Sequence, residues 1–529
     1  MGREAGESAN GRTTGEVWAV RLGLGFLVFG LACRLFVYWL SFPIWRDEAA
    51  LALNFVHRDF RGLLSELDNF QIAPLLFLWI EKAVYQWLGG SAGWLRLIPF
   101  LAGASALVLF WDLARRCLEP LPAAMALGIL AVAQSPIQLA STIKPYSLDL
   151  LSATLLVTLA VRYLQSPQRY ESLAALALAA PFAVVLSYPA IFVVGAVSLV
   201  LLPKVWTQGG RWSRSYFLAF NVLGIGVFLL HLRLVGNAGH DPALPVVRDF
   251  MAGYWQGGFL PRQPVSAFAW LIRSHVGHLF SYPLPFNGGG LVGLLFVLLG
   301  CRALYRQRRF EVLALCLLPF VLNFVAGAMH RYPYAGDQRI EQHLAPSICL
   351  LLGSGLADAV RRLTARIELA AVGLAAAFVS IGLADATFDA LHPYHDNEAA
   401  WARDVAQFVR TQLREGDRIV LPHEDFFTLT CLRWQLLPFA DRVAHTKNLA
   451  SPPFLCANGR VWLLDQMLDL TVVPDEPLAR DPLELLSRQA RKHWRAIDRT
   501  RILTRQAVSK NDRAGYYFCC DLHVLEPSP

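Results

Sequence analysis

Charged residues are scarce in this sequence, since Asp, Glu, Lys and Arg together make up only 17% of its 529 residues. A soluble globular protein carries about 25%. Hydrophobic residues make up 55%, and they form long runs instead of being scattered along the chain. This composition argues against an ordinary soluble enzyme and predicts an integral membrane protein.

The common cofactor and hydrolase motifs are also missing. The chain has no Walker loop, no GxGxxG after a strand, no GxSxG and no HExxH, so no motif points to a nucleotide cofactor. It has no CxxC or His/Cys spacing typical of a metal site. The net charge of +8 comes from short Arg and Lys clusters between apolar runs. Such clusters indicate membrane orientation and argue against a nucleic acid partner.

Eleven apolar runs are candidates for membrane-spanning helices, which need about 20 residues to cross ~30 Å of hydrocarbon. Several runs are short, so their boundaries are approximate. The predicted spans are 17–41, 95–112, 121–137, 146–162, 172–187, 189–204, 216–234, 290–304, 311–328, 341–358 and 367–385. The predicted fold class is therefore an α-helical multi-pass membrane protein with about 11 transmembrane helices, preceded by a cytoplasmic tail over 1–16.

Basic residues set the predicted orientation. With the N-terminus in the cytoplasm, every predicted inner loop is basic, as in Arg115 and Arg116 after the second span, which agrees with the positive-inside rule. The run 73–89 also looks like a span, but counting it would place these loops outside. Glu81 and Lys82 in its middle would also be costly in lipid. We therefore predict that this segment is an interfacial helix lying on the outer surface of the membrane. The predicted location of the protein is the cell (inner) membrane.

This topology collects the polar and titratable groups at the outer face of the membrane. The transmembrane domain is predicted to cover 17–385, with outer loops at 42–94, 235–289 and 329–340. The centres of the spans are nearly free of charge. The remaining residues, 386–529, are predicted to form an extracytoplasmic domain.

The composition of this C-terminal region predicts a small α/β domain. Its patterns indicate a helix, turn and strand in NEAAWARDVAQFVRTQLREGDRIVL, strands in RVWLLD and YYFCCDLHVLEP, and a helix capped by Asp481 in DPLELLSRQARKHWRAI. Four cysteines lie here, and an oxidising outer compartment would permit a disulfide. They are Cys431, Cys456, Cys519 and Cys520.

The stretch SFPIWRDEAALALNF, residues 41–55, places Asp47 and Glu48 directly after the first span. Two adjacent carboxylates at this point have two interpretations. They cap the helix that follows, because acidic side chains favour a helix N-terminus, or they belong to a catalytic site at the membrane surface.

The Asp-Glu pair, the large outer loop, QIAPLLFLW and LRLIPFLAGASALVLFWDLARR together resemble the GT-C glycosyltransferases. More narrowly, the chain resembles the family 39 and 83 branch, which contains the protein O-mannosyltransferases and the lipid A aminoarabinose transferase. The likeness covers 17–165 and is one of architecture elsewhere. It implies a GT-C fold, a polyprenyl-phosphate sugar donor at the outer face, and the Asp of the loop motif, here Asp47, as catalytic base.

Two positions depart from the pattern of that branch. Family members carry His-Pro-Pro-Leu or Lys-Pro-Pro-Leu where this chain has Gln71 followed by Ile-Ala-Pro-Leu, which removes a cation or imidazole from the expected site. Lys144 in IKPYSLDLL stands where the family has an arginine after the third span.

The chemistry of such a transfer assigns roles to the remaining residues. A lipid phosphate leaves as an anion, so the reaction needs a base for the acceptor and cations for the phosphate. Asp47 is the predicted base of a direct inverting displacement, and Glu48 orients the acceptor or binds a cation. A divalent ion, Mg²⁺ or Mn²⁺, stays open because the outer loop has no DxD. The predicted substrate-binding residues are Gln71, Lys144, Tyr146, Arg331, Tyr332, Tyr334, Arg339 and His343.

Each assignment has a structural alternative. Lys144 snorkels to the headgroups or pairs with the intramembrane Asp149, Arg331 and Arg339 bind anionic lipid, and His343 is a packed helix residue. The predicted partners are the donor, membrane lipids, and a glycan, lipid or protein acceptor. The alternative functions are a lipid or solute transporter, which should show charges within its spans, and an envelope polysaccharide polymerase or ligase.

Overall fold

The chain divides into two compact units. A computed structural model describes residues 14–236, 252–284, 288–392, 397–421, 429–445, 460–464, 468–470, 494–505 and 517–527. The first unit comprises Met1–Ser41, Arg58–Glu66 and Ile72–Phe388, and the second comprises Phe42–His57, Leu67–Gln71 and Asp389–Pro529.

The first unit is helical. Its α-helices, with α2 of the second unit included for numbering, are α1 (Thr14–Leu40), α2 (Arg46–His57), α3 (Leu75–Leu88), α4 (Ala92–Leu95), α5 (Leu97–Cys117), α6 (Pro120–Ala131), α7 (Gln134–Leu139), α8 (Tyr146–Gln165), α9 (Glu171–Leu186), α10 (Ala190–Gln208), α11 (Arg211–Gly236), α12 (Pro264–Val276), α13 (Gly289–Arg306), α14 (Phe310–Ala328), α15 (Ala345–Leu363) and α16 (Ile367–Leu391). The predicted interfacial segment 73–89 contains α3; its placement at the membrane surface stays a prediction.

Ten of the eleven predicted spans each overlap one apolar helix, and the remaining one, 121–137, covers two helices. Among the described residues, nine helices are long and apolar enough to cross a membrane: α1, α5, α8, α10, α11, α13, α14, α15 and α16. The other two, α6 and α9, are shorter, at 12 and 16 residues. Large apolar side chains such as Val28, Leu178 and Leu218 are exposed on these helices, as expected for surfaces that face lipid. The chain is a multi-pass membrane protein.

The third predicted span, 121–137, is broken. Its helix α6 ends at Ala131, and the short helix α7 begins at Gln134. The buried Arg34 of α1 donates hydrogen bonds to the carbonyl oxygens of Leu130 and Ala131, both at 3.1 Å, and to Gly30 at 3.0 Å. A helix end leaves carbonyl groups without intrahelical partners. The guanidinium supplies partners at this break, which hydropathy alone does not reveal.

Glycines allow the central helices to pack at backbone distance. A Cβ atom on Gly355 of α15 would lie 1.9 Å from the carbonyl oxygen of Phe296 in α13, and one on Gly353 would lie 2.4 Å from the amide nitrogen of Ala126 in α6. Any larger residue at these positions would separate the helices. Close approach through small residues is a common way to pack helices in membranes.

The basic loops predicted to face the cytoplasm meet at one end of the helices. Asp112 near the end of α5 pairs with Arg116, at 2.9 Å, and with Arg162 near the end of α8, at 2.8 Å. Glu119, just before α6, pairs with Arg361 near the end of α15 at 2.7 Å. These ion pairs place the ends of three predicted inner-facing helices on the same side of the bundle.

The second unit contains a mixed sheet and the helices α2, α17 (Asn397–Gln412) and α18 (Thr430–Gln435). The strands are β1 (Arg418–Leu421), β2 (Val443–His445), β3 (Val461–Leu464), β4 (Leu468–Leu470), β5 (Trp494–Arg505) and β6 (Tyr517–Pro527). Strand β1 pairs in parallel with β2 and β3, and β6 is antiparallel to β3, β4 and β5. The predicted α/β character of this region is confirmed.

One predicted helix in this region is partly wrong. The segment 481–497 was expected to be helical throughout, but Trp494 to Ile497 begin β5, which pairs with β6 from Trp494 opposite Pro527 to Arg505 opposite Tyr517. Residues 481–493 lie outside the described residues. Strand β6 is the next strand after β5, and the helical periodicity of 481–497 could not reveal that the end of this segment pairs with it.

Candidate active site

The first turn of α2 holds the two predicted catalytic carboxylates in different environments. Asp47 is half-buried, whereas Glu48 is fully buried and its Oε2 accepts a hydrogen bond from the backbone N–H of Trp45 at 3.3 Å. This is the geometry of a capping box, in which the third helical residue reaches back to the residue before the helix. Glu48 therefore caps α2, and its role in catalysis or cation binding stays a prediction.

The loop Leu67–Gln71 clamps the middle of α2. Asn54 of α2 accepts a hydrogen bond from the amide N–H of Asp68 at 2.7 Å and donates one to its carbonyl oxygen at 3.3 Å. Asn69 donates to the carbonyl oxygen of Ala50 at 3.1 Å. Asn69 and its neighbour Phe70 both have positive φ, 60° and 53°, a strained conformation that persists only where the surroundings hold it.

Gln71 ends this loop and is buried. Its side-chain amide donates to the carbonyl oxygen of Asn69 at 3.1 Å. The residue that stands at the family's His or Lys position therefore stabilises the strained turn. Its predicted contact with substrate stays a prediction.

Helix α18 contacts the other end of α2. The hydroxyl of Thr430 donates to the carbonyl oxygen of Arg46 at 3.3 Å, and the thiol of Cys431 donates to that of Ile44 at 3.8 Å. Both side chains are buried. Sequence reasoning did not single out Asn54, and it missed the contacts of Thr430 and Cys431 with the start of α2, because no local pattern links residues 384 and 387 positions apart.

In the first unit, a tight turn before α8 carries two predicted substrate-binding residues. Lys144 is buried, at 5% exposure, and Tyr146 is half-buried at the start of α8. A snorkelling lysine keeps its ammonium in water, so the burial of Lys144 argues against that alternative. Asp149, in the first turn of α8, is also buried.

The predicted outer loop around 329–340 provides two tyrosines with defined partners. The hydroxyl of Tyr332 donates to the carbonyl oxygen of Ile340 at 2.9 Å. The hydroxyl of Tyr334 lies 3.0 Å from Nε2 of His275, and its amide donates to Gly258 at 2.7 Å. Tyr334 is buried. It therefore anchors this loop to the segment 252–284.

The three other predicted residues of this loop differ in their environments. Arg339 is paired with Asp337 at 3.0 Å, so part of its charge is compensated. Arg331 is exposed. His343 is buried, with its ring 5.7 Å from that of Phe192 and 6.2 Å from that of Tyr332. The packed interpretation of His343 agrees with this environment.

Residues from α8 and from this loop meet within the first unit. Burial raises the pKa of Tyr332 well above its usual value, and the nearby groups of Asp149, Glu341 and Tyr146 raise it further. Tyr146 also interacts electrostatically with Arg339. Four predicted or suspected site residues therefore lie close together: Tyr146, Asp149, Tyr332 and Arg339.

Glu341 belongs to this group and was missed by sequence reasoning. Its carboxylate accepts hydrogen bonds from the amide N–H of Ala335 at 2.6 Å and from Nδ2 of Asn323 in α14 at 2.8 Å. Burial, together with the nearby Asp337, raises its pKa to about 8, and the two hydrogen bonds oppose this rise only in part. Glu341 therefore connects α14 to the turn at Ala335, whose φ is positive, and so joins this loop to the helices of the first unit.

A divalent cation has little support from the residues that are described. None of their His, Cys, Asp and Glu side chains form a group of three that could hold a metal ion. Glu48, the candidate ligand, is buried and caps a helix. Binding of Mg²⁺ or Mn²⁺ therefore stays a prediction.

Comparisons with known proteins identify the fold. No protein-family model matches the chain, and no curated protein matches it by sequence. The crystal structure of ArnT from Cupriavidus metallidurans bound to undecaprenyl phosphate matches with a TM-score of 0.52 at 15% identity, over 83% of this chain and 93% of ArnT. The chain has the GT-C fold. The apo state of ArnT gives a TM-score of 0.50 at 16% identity, over 85% of this chain and 93% of ArnT.

At this level of identity, the likeness concerns the fold. The GT-C fold confirms the fold class expected from the resemblance over residues 17–165 and from the apolar runs. An oligosaccharyltransferase from Archaeoglobus fulgidus in its apo form is also similar, with a TM-score of 0.47 at 11% identity over 85% of this chain and 69% of that one.

Proposed function

We propose that this chain is a membrane glycosyltransferase that moves a sugar from a polyprenyl-phosphate-linked donor to a hydroxyl or amine of an acceptor at the outer face. The observation that carries the proposal is the GT-C fold shared with ArnT, which was solved bound to undecaprenyl phosphate. The supporting observation is that the helix bearing Asp47 is clamped by two other segments of its unit.

Asp47 is the proposed general base. It takes the proton of the acceptor group as that oxygen or nitrogen bonds to the anomeric carbon of the sugar. The bond from this carbon to the phosphate oxygen breaks, and its electron pair leaves with the polyprenyl phosphate. A base positioned in this way contributes about 10²–10⁴-fold to the rate. The half-buried position of Asp47, beside Glu48, which is buried and caps α2, suits one proton acceptor better than a carboxylate pair.

Cations compensate the charge that develops on the leaving phosphate. Among the predicted groups, Arg331 is exposed, whereas Arg339 is partly neutralised by Asp337. We therefore assign the phosphate to Arg331 and Lys144. We assign the sugar to Tyr146 and Tyr332, which interact with each other, because aromatic rings with hydroxyl groups combine apolar surface and hydrogen bonding.

We infer that the chain lies in the inner membrane with its N-terminus in the cytoplasm and the C-terminal unit outside. The ion pairs that gather the basic helix ends on one side support this orientation. Cysteines introduced at the exposed positions Ser65 and Gln307 test it. An impermeant maleimide should label Ser65→Cys in intact cells, and should label Gln307→Cys only after permeabilisation; the reverse result would overturn the orientation.

The decisive experiment is transfer in detergent from a panel of undecaprenyl-phosphate sugars to mixed glycan, lipid and peptide acceptors. Asp47→Asn should lose about 10²-fold or more of the activity of the wild type. Asp404→Asn, a partly exposed acid on α17 paired with Arg403, is the matched control and should keep it. Full activity in Asp47→Asn would remove Asp47 as the base. Movement of lipid phosphate across vesicles without any transfer would favour the transporter.

A further inference from the structure

Helix α18 fixes the main chain immediately before Asp47. Thr430 donates to the carbonyl oxygen of Arg46, and Cys431 donates to that of Ile44. Between them, the amide N–H of Trp45 is held by Glu48. Each of the three consecutive residues before Asp47 therefore has a backbone group in a hydrogen bond with a side chain, and for two of them that side chain lies 384 or 387 positions further along the chain.

The same helix also reaches α2 by a second route. Arg433, one turn after Thr430, interacts electrostatically with Asp68. The main chain of Asp68 is in turn hydrogen-bonded to Asn54 of α2 on both its N–H and its carbonyl. Helix α18 therefore supports α2 at its start directly and at its middle through the loop.

The contact from Thr430 differs from ordinary packing. Thr430 is fully buried, and its hydroxyl is a neutral donor to a carbonyl oxygen inside a helix turn. A valine of the same shape would fill the space but could not donate a hydrogen bond to this carbonyl oxygen. The first turn of α2 would then be free to shift, and a displacement near 1 Å at a catalytic group costs about 10²-fold in rate.

We propose that Thr430 is a positioning residue for Asp47, through which the C-terminal region orients the general base. The proposal rests on the proposed function, since it assigns Thr430 no chemistry of its own. It predicts that removing the hydroxyl lowers kcat and leaves KM unchanged, because the substrate-binding residues assigned above are untouched. It also predicts faster exchange of the backbone amides at the start of α2.

The test compares full-length Thr430→Val, Thr430→Ala and Thr430→Ser in detergent, using the undecaprenyl-phosphate sugar that the wild type turns over. Valine and alanine should lower kcat at least about tenfold and speed hydrogen–deuterium exchange over residues 46–50. Serine should restore both. Thr411→Val is the matched control, because Thr411 donates to Phe408 on the exposed side of α17, and it should change neither.

The outcomes separate this inference from the proposed function. Unchanged kcat in Thr430→Val, with Asp47→Asn inactive, overturns the positioning role and leaves the base intact. Faster amide exchange with unchanged kcat overturns it as well. If Asp47→Asn keeps full activity, the proposed function fails, while the exchange data still show whether Thr430 holds α2. If valine prevents folding, alanine and serine decide the question.

Discussion

Replacing Glu341 with glutamine should remove a pH dependence of stability that this one carboxyl creates. The carboxyl is buried and its pKa is about 8 in the folded chain, against a usual value of 4.5. Because the folded state holds the proton more tightly, stability is greatest below the unfolded pKa and falls as the pH rises to the folded value. Above about pH 8 the loss is complete.

The magnitude follows from the difference of the two pKa values. Each pH unit between them is worth about 1.4 kcal/mol, so the full span, 8 minus 4.5, gives a loss of about 5 kcal/mol. Between pH 5 and pH 8 the expected loss is about 4 kcal/mol. The desolvation of the carboxylate is the physical source of this cost.

Glutamine is a close copy of the protonated acid. Its amide oxygen accepts from the N–H of Ala335, and its NH₂ group donates to Asn323 once the Asn323 amide is turned over. Oδ1 of Asn323 has no hydrogen-bond partner in the described part of the chain, so it is available for this bond. Glu341→Gln should therefore match the wild type near pH 5 and exceed its stability by about 4 kcal/mol at pH 8.

The assay is denaturant unfolding in detergent micelles, followed by tryptophan fluorescence at pH 5, 6.5 and 8. Subtracting the variant from the wild type cancels all other titrating groups. Glu368→Gln, at an exposed site in the first turn of α16, is the control and should give a flat difference. A flat difference for Glu341→Gln would refute the reasoning, because it would mean that the carboxyl is ionised in both states.

Three further substitutions test the packing. Arg34→Met should destabilise the fold by about 3 kcal/mol or more, because it removes the three hydrogen bonds that a buried guanidinium makes. The control is Arg115→Met, which removes an exposed guanidinium 3.9 Å from the Asp112 carboxylate and should cost about 1 kcal/mol at most. Equal unfolding midpoints for the two variants would contradict this prediction. Gly355→Ala should cost about 1–3 kcal/mol by separating α13 from α15, and Gly373→Ala, with open space around it, should cost nothing in the same unfolding assay. Asp417 accepts hydrogen bonds from Arg460 and Trp462 that hold its pKa below the usual value despite burial, so its contribution to folding stability is present above the usual pKa and is lost as the pH falls. Asp417→Asn should therefore cost about 1.5–3 kcal/mol of unfolding free energy at pH 7. A larger loss at pH 3 than at pH 7 would contradict the sign.

Hydropathy and turn patterns predicted the elements well, because both depend on residues that are close in sequence. The apolar runs gave the positions of the membrane helices, and the acidic pair gave the start of α2. The break in the span 121–137 could not be predicted in this way. It is stabilised by Arg34, whose partners Leu130 and Ala131 lie almost one hundred positions away.

The candidate site was predicted by residue type, and residue type does not determine what a side chain is paired with. Arg339 was expected to be a phosphate-binding cation, but Asp337 lies 3.0 Å from it. Lys144 was expected at the headgroups or at the phosphate, and it is buried. Glu341 carried no signal, because its altered pKa depends on burial and on Asn323, which approaches only in the folded chain.

The helix that carries the proposed base shows why long-range structure matters most at the site. Helix α2, the loop Leu67–Gln71 and helix α18 belong to one compact unit, although they come from widely separated parts of the chain. A general base needs a well-defined orientation toward the group that it deprotonates. A short helix is only marginally stable by itself. Supports from distant segments supply that rigidity. The residues that provide this rigidity, such as Thr430, belong to no sequence motif, and yet their substitution is predicted to lower kcat.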